Sequence, residues 1–199
     1  MKKLSTYLFL ILFSFQTSSW ANDISDFEIE GMSIGDSLLD YFSEEEINRR
    51  KGYLYPSKKF KIVMVAPNLI TSNIYDFIQI VIKPSDKKYK IYAIDAGFDF
   101  HNDLKGCYKK MDEVVTELSE FFKDDAEKKD AGIFKHNVDE SGKTTVKSIN
   151  FNFDSGDIAH VGCTDWNEKL TKENQWYDNL KISIVTKEYY YFTTYEAHK

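Results

Sequence analysis

The 199-residue chain has only two cysteines, three prolines, nine glycines and four histidines. Two cysteines, Cys107 and Cys163, rule out a multi-thiolate metal cluster and a disulfide-dense mini-scaffold. Scarce glycine and proline exclude collagen-like and low-complexity chains, and 16% aromatic residues describe a protein with a core. Long apolar runs are missing beyond the first 15 residues, so nothing later in the chain reads as a membrane span. Positive charge is also short. Lys and Arg number 26 against 32 Asp and Glu, a net charge of -6, with no concentrated basic stripe. Such a surface repels phosphate backbones, which argues against nucleic acid as a partner.

The start of the chain has the parts of a secretory leader. Met1-Lys2-Lys3 is a short basic opening, Tyr7 to Phe15 is an apolar core, and Ser19 and Ala21 are small residues placed for cleavage after Ala21. Residues 1–21 are thus expected to be a signal peptide, and residues 22–199 a single α+β domain without stable membrane insertion. Loss of Lys2 and Lys3 leaves 24 basic against 32 acidic side chains, a net charge of -8. The expected location is periplasmic or extracellular, where Cys107 and Cys163 are expected to pair as a disulfide.

Hydrophobic periodicity predicts a mainly antiparallel sheet built from hairpins, with helices packed on one face. Phe60, Ile62 and Met64 alternate with other side chains, as do Ile78, Ile80 and Ile82, and Tyr89 to Ile94 returns after the turn Pro84-Ser85-Asp86. Ile149, Phe151 and Phe153 alternate, Asp154-Ser155-Gly156-Asp157 reads as a turn, and Ile158 to Cys163 and Leu180 to Ile184 follow as strands. The clearest helix carries Met111, Val114, Val115, Leu118, Phe121 and Phe122 on one stripe, with Asn102 or Asp103 as its cap and Cys107 on the core side. Ser43-Glu44-Glu45-Glu46 is a capping-box pattern. Residues 123–146, dense in charge, are expected to be a surface connection, and Tyr189 to Tyr195 a final strand. A faint twofold plan, helix then hairpins, restarts near Cys107.

Three patterns carry possible chemistry. Gly35-Asp36-Ser37-Leu38 together with Asp157-Ile158-Ala159-His160 resembles the two motif blocks of the GDSL hydrolases. That resemblance implies Ser37 as nucleophile, His160 as its base and Asp157 as the orienting carboxylate of an ester hydrolase. The family's G-x-N-D block has no counterpart, and Phe27-Glu28-Ile29-Glu30 does not read as the buried parallel strand that family needs. His160-x-x-Cys163 has a zinc-like spacing but no convincing second pair of ligands, so no metal and no cofactor is expected. Finally, Tyr189, Tyr191 and Tyr195, with Trp166 and Trp176, are the candidate aromatic platform for a protein, peptide or glycan partner.

Across the mature chain, the stretch from Phe27 through Gly31-Met32-Ser33-Ile34-Gly35 to Ile47, Cys163-Thr164-Asp165-Trp166 and Trp176-Tyr177-Asp178-Asn179-Leu180 resemble a group of small, uncharacterised exported proteins of marine bacteria. The resemblance implies export and brings no active site. The opening also resembles, in architecture alone, that of small periplasmic assembly lipoproteins and of the β-lactamase inhibitor fold. The functional expectation is a non-catalytic exported binding or assembly module, with the serine hydrolase as the alternative.

Overall fold

The computed structural model describes residues 24–65 and 74–197. The expected leader and its cleavage point lie outside the described residues.

Local chemistry accounts for the helix starts. The Ser43 hydroxyl accepts from the Glu46 amide while the Glu46 carboxylate accepts from the Ser43 amide, a complete capping box that opens α1 (Glu44–Arg49). Asp103 accepts from the Gly106 amide at 2.9 Å and starts α2 (Leu104–Phe121). Its stripe of Met111, Val114, Val115 and Leu118 is buried, as is Cys107 one turn earlier.

Four strands follow α1: β1 (Gly52–Leu54), β2 (Lys61–Val65), β3 (Phe77–Ile82) and β4 (Ile91–Asp99). Four more follow α2: β5 (Ala126–Lys135), β6 (Thr145–Phe153), β7 (Ile158–Asp165) and β8 (Asn179–Val185), with α3 (Glu168–Asn174) between the last two. The eight strands form one sheet in the order β1-β2-β3-β4-β8-β7-β6-β5, and every neighbouring pair is antiparallel. Each half is therefore a helix followed by a four-strand meander, and the halves join through their last strands. The twofold plan lies in the topology.

The two sides of the sheet differ, because successive residues of a strand point to opposite faces. Val63, Ile80, Ile94, Ile184, Ala159 and Phe151 stand in register across six strands, and all are buried in the main core with α2. One residue further along, Gln79, Asp95, Ser183, His160, Asn150 and Lys129 form a polar row on the opposite face.

Part of that second face is covered. The chain ends in α4 (Lys187–Tyr195), whose Tyr189 and Phe192 pack with Phe60, Val81 and Ala93 in a second, smaller core over β3 and β4. The Tyr55 and Tyr189 hydroxyls meet at 2.7 Å within it.

Three expectations are corrected here. Helices lie on both faces, because Val81 and Ala93 point away from α2 and need their own apolar cover. The segment Tyr189–Tyr195 is helical rather than a strand: Thr186 accepts from the Tyr189 amide as an N-cap, and burial at positions 189 and 192 follows a helical spacing. Residues 126–135 are a strand within the expected surface connection. As an edge strand it has little burial to reveal it, and a bulge between Asp130 and Gly132 breaks its alternation.

Cys107 and Cys163 form a disulfide that ties α2 to β7, with a Cα–Cα distance of 6.1 Å. Among the described residues, no helix is long and apolar enough to cross a membrane.

Candidate functional site

The half of the second face that α4 leaves open is built by β5 to β8. Strand alternation brings Lys181 and Ser183 of β8, His160, Gly162 and Thr164 of β7, and Val146, Ser148 and Asn150 of β6 to this side. Within it lies a concavity of about 190 Å³, walled by Phe134, Val146 and His136, with His160, Thr164 and Lys181 as its polar lining. Gly162 completes it.

Glycine at position 162 makes room for a side chain. A β-carbon there would stand 2.7 Å from His160 Nε2, so the imidazole lies across the Gly162 backbone. The Nδ1 of that ring lies 2.9 Å from the Asn150 side-chain oxygen, which makes Nδ1–H the donor. Burial first, and the neighbouring Lys181 ammonium second, push the His160 pKa down to about 4, with Asp95 pulling weakly the other way. His160 is therefore neutral at physiological pH. Lys181 reaches Asp95 at 3.2 Å, and the Asp95 side chain is almost wholly buried.

One end of the concavity is an aromatic rim. His136 and Trp166 pack at 4.8 Å between ring centroids, and Trp166 and Trp176 at 4.7 Å. The rim is held by Asp139 in the β5–β6 turn, whose carboxylate accepts from the amides and hydroxyls of Ser141 and Thr144 and from the Asn167 side chain. Asn167 in turn caps α3 through the Lys169 amide. Those hydrogen bonds, from Ser141 and Asn167 first, hold the Asp139 carboxyl well below the usual carboxylate range. The network fixes the turn against α3 and so places His136 and Trp166.

The residues singled out in the sequence fall in different places. Ser37 caps a one-turn 3₁₀ helix, Leu38–Asp40. Its hydroxyl donates to the Lys88 carbonyl at 2.7 Å and accepts from the Leu39 amide. Asp157 accepts from the Ser155 hydroxyl and the Lys187 amide. With His160 bonded to Asn150, these hydrogen bonds join no two members of the Ser37, Asp157 and His160 set. His160 and Cys163, three residues apart on one strand, point to opposite faces, and Cys163 is oxidised.

The aromatic platform divides. Trp166 and Trp176 meet at the Thr164/Asn179 end of the β7–β8 pair, whereas α4 starts from the Ile158/Val185 end, about 20 Å away along the strands. On α4, Tyr191 and Tyr195 are exposed and pack together at 4.9 Å, while Tyr189 is buried in the second core. Lys181, Asp95, Thr164 and Phe134 were not singled out by motif. The signal for Lys181 was a polar alternation, Lys181 and Ser183 between Leu180, Ile182 and Ile184, which marks a strand with a second, non-core face.

Fold and site together define a class: an α+β domain of two meanders with one polar half-face left open beside an aromatic rim. No protein-family model, curated protein or solved structure matches the chain.

Proposed function

We propose that this chain is an exported, non-catalytic binding module, akin to the small exported proteins of marine bacteria that its sequence resembles. Its partner, a protein, peptide or glycan, docks on the open half-face of β5 to β8. The observation that carries this reading is the unequal cover of the sheet. One face is closed by α2, and the β3–β4 side of the other by α4. The remaining half presents a concavity with Phe134 and Trp176 exposed at 44% and 38%. Large exposed rings beside buried polar groups are the composition of a recognition surface rather than of an ordinary solvated one. The leader-like opening and the Cys107–Cys163 bridge support the exported half of the proposal.

Oxidative footprinting tests it. Trp176 and Phe134 are expected to be protected in the protein labelled within its exporting host, relative to the purified protein, with Tyr191 labelled alike in both. Equal labelling of Trp176 and Phe134 in the two settings would overturn the reading.

A further inference from the structure

The open concavity is rich in hydrogen-bond donors although the chain is acidic overall. None of its lining residues carries a carboxylate. Asp95, beside it in the polar row, already accepts from Lys181, and an ammonium has two more protons to give. At the wall, His136 Nδ1 accepts from the Val138 amide. The Thr164 hydroxyl adds another donor.

Among the described residues, two buried polar groups on the elements around the concavity lack a partner. Ser183, only 3% exposed, stands in register between Asp95 and His160, and its hydroxyl has no hydrogen-bond partner among the described residues. The Trp166 indole N–H, behind His136 at the rim, is equally unpartnered. An indole nitrogen can only donate, and a buried donor left unmade is costly. Phe134 and Val146 meanwhile form an apolar wall. Donors led by the Lys181 ammonium, set against one bare acceptor at His160 Nε2 and beside an apolar wall, fit an anionic oxygen carried on an apolar body.

We propose that this concavity is a carboxylate-binding site, anchored by Lys181 and supported by Thr164, with Phe134 and Val146 holding the apolar part of the ligand. The inference rests on the reading of this half-face as the binding surface and names the chemistry recognised there. The carboxylate comes either from a free organic acid or from a glutamate or aspartate side chain of a partner. A volume of about 190 Å³ takes one such group.

The test is an amide-resolved NMR titration of the full mature protein at pH 7 with three probes: 3-phenylpropionate, its neutral isostere 3-phenylpropionamide, and the acetylated, amidated peptide Ala-Glu-Phe. Saturable shifts are expected at the amides of Val146, Gly162, Thr164 and Lys181 with at least one carboxylate probe, with affinity about tenfold above that for the amide. Binding by phenylpropionate alone assigns the site to free acids; binding by the peptide assigns it to side chains. The double variant Lys181→Met/Asp95→Asn, which leaves no unpaired buried charge, is expected to lose about tenfold in affinity for the carboxylate and none for the amide. Equal binding of acid and amide, or no saturable shift at these four amides with any probe, would overturn the carboxylate assignment. Neither result touches the binding-surface reading, which is tested separately by the protection of Trp176 and Phe134 in the host.

Discussion

The imidazole of His160 lies across the backbone of Gly162, so close that a β-carbon at position 162 would stand 2.7 Å from Nε2. One side chain thus occupies the space over two positions of the strand, and the missing side chain at position 162 is what gives the ring room. Gly162→Ala is therefore expected to displace the imidazole from Asn150 and to destabilise the fold by about 1–3 kcal/mol, the usual cost of overpacking. Urea unfolding checks the stability, and the His160 ring shifts check the displacement.

The neutral His160 sets a pH dependence whose sign follows from its lowered pKa. An unfolded histidine titrates near 6.5, whereas His160 in the fold titrates at about 4. Between those values the unfolded chain binds more protons, so stability rises with pH. The contribution is complete above pH about 6.5 and is lost as pH falls through 4. Discounted for the residue's partial exposure, about 2 kcal/mol is at stake. His160→Gln is expected to lose less stability than the unmodified protein between pH 7 and pH 4.5, and parallel losses in the two proteins would contradict this.

Reduction of the Cys107–Cys163 bridge opens a loop whose ends are 56 residues apart. The chain-entropy relation assigns about 4 kcal/mol to such a closure. Comparison of unfolding free energies from urea titrations with and without reductant is the measurement, with a lower midpoint expected on reduction.

At Ser37 the hydrogen bonds are those of a cap. Ser37→Ala is expected to cost about 1 kcal/mol in stability. If Ser37 were a nucleophile, the same variant would instead abolish hydrolysis of short-chain esters by the unmodified protein while leaving its stability intact, so one variant read both ways separates the two roles.

The second core and the exposed face of α4 give a paired prediction. Phe192→Ala empties a fully buried aromatic site and is expected to cost about 3–5 kcal/mol. Tyr191→Ala, one residue away and 54% exposed, is expected to stay within about 0.5 kcal/mol.

How far the sequence discloses this molecule depends on the range of the interaction. Caps act within four residues, so the Ser43–Glu46 box and the Asp103 cap are legible, as is the stripe of α2. Clean alternation over β3, β6 and β8 reflects one buried face, and the α2 stripe places Cys107 on the core side, where β7 presents Cys163. Two elements escape for physical reasons. In β5, an edge strand with a bulge has neither burial nor period, and its Glu127-Lys128-Lys129-Asp130 run looks like a loop. In α4, tyrosine and phenylalanine favour strands, so the Thr186 cap and the burial of positions 189 and 192 are outweighed. The site itself escapes because it is made by pairing. Asp95 and Lys181, on strands 86 residues apart in sequence, meet only once β4 and β8 are neighbours. His160 stood out as a base in a motif; its actual neighbours are set by register.

The claim that the open half-face of β5 to β8 receives a partner is tested most directly by site-specific photo-crosslinking in the exporting host. A photoreactive residue is placed at Phe134 on the open face, and a control at Glu113 on the solvent side of α2. A discrete adduct from position 134 and none from 113 is the predicted result. Adducts from 113 alone, or none from 134 with the protein correctly folded, would contradict the account.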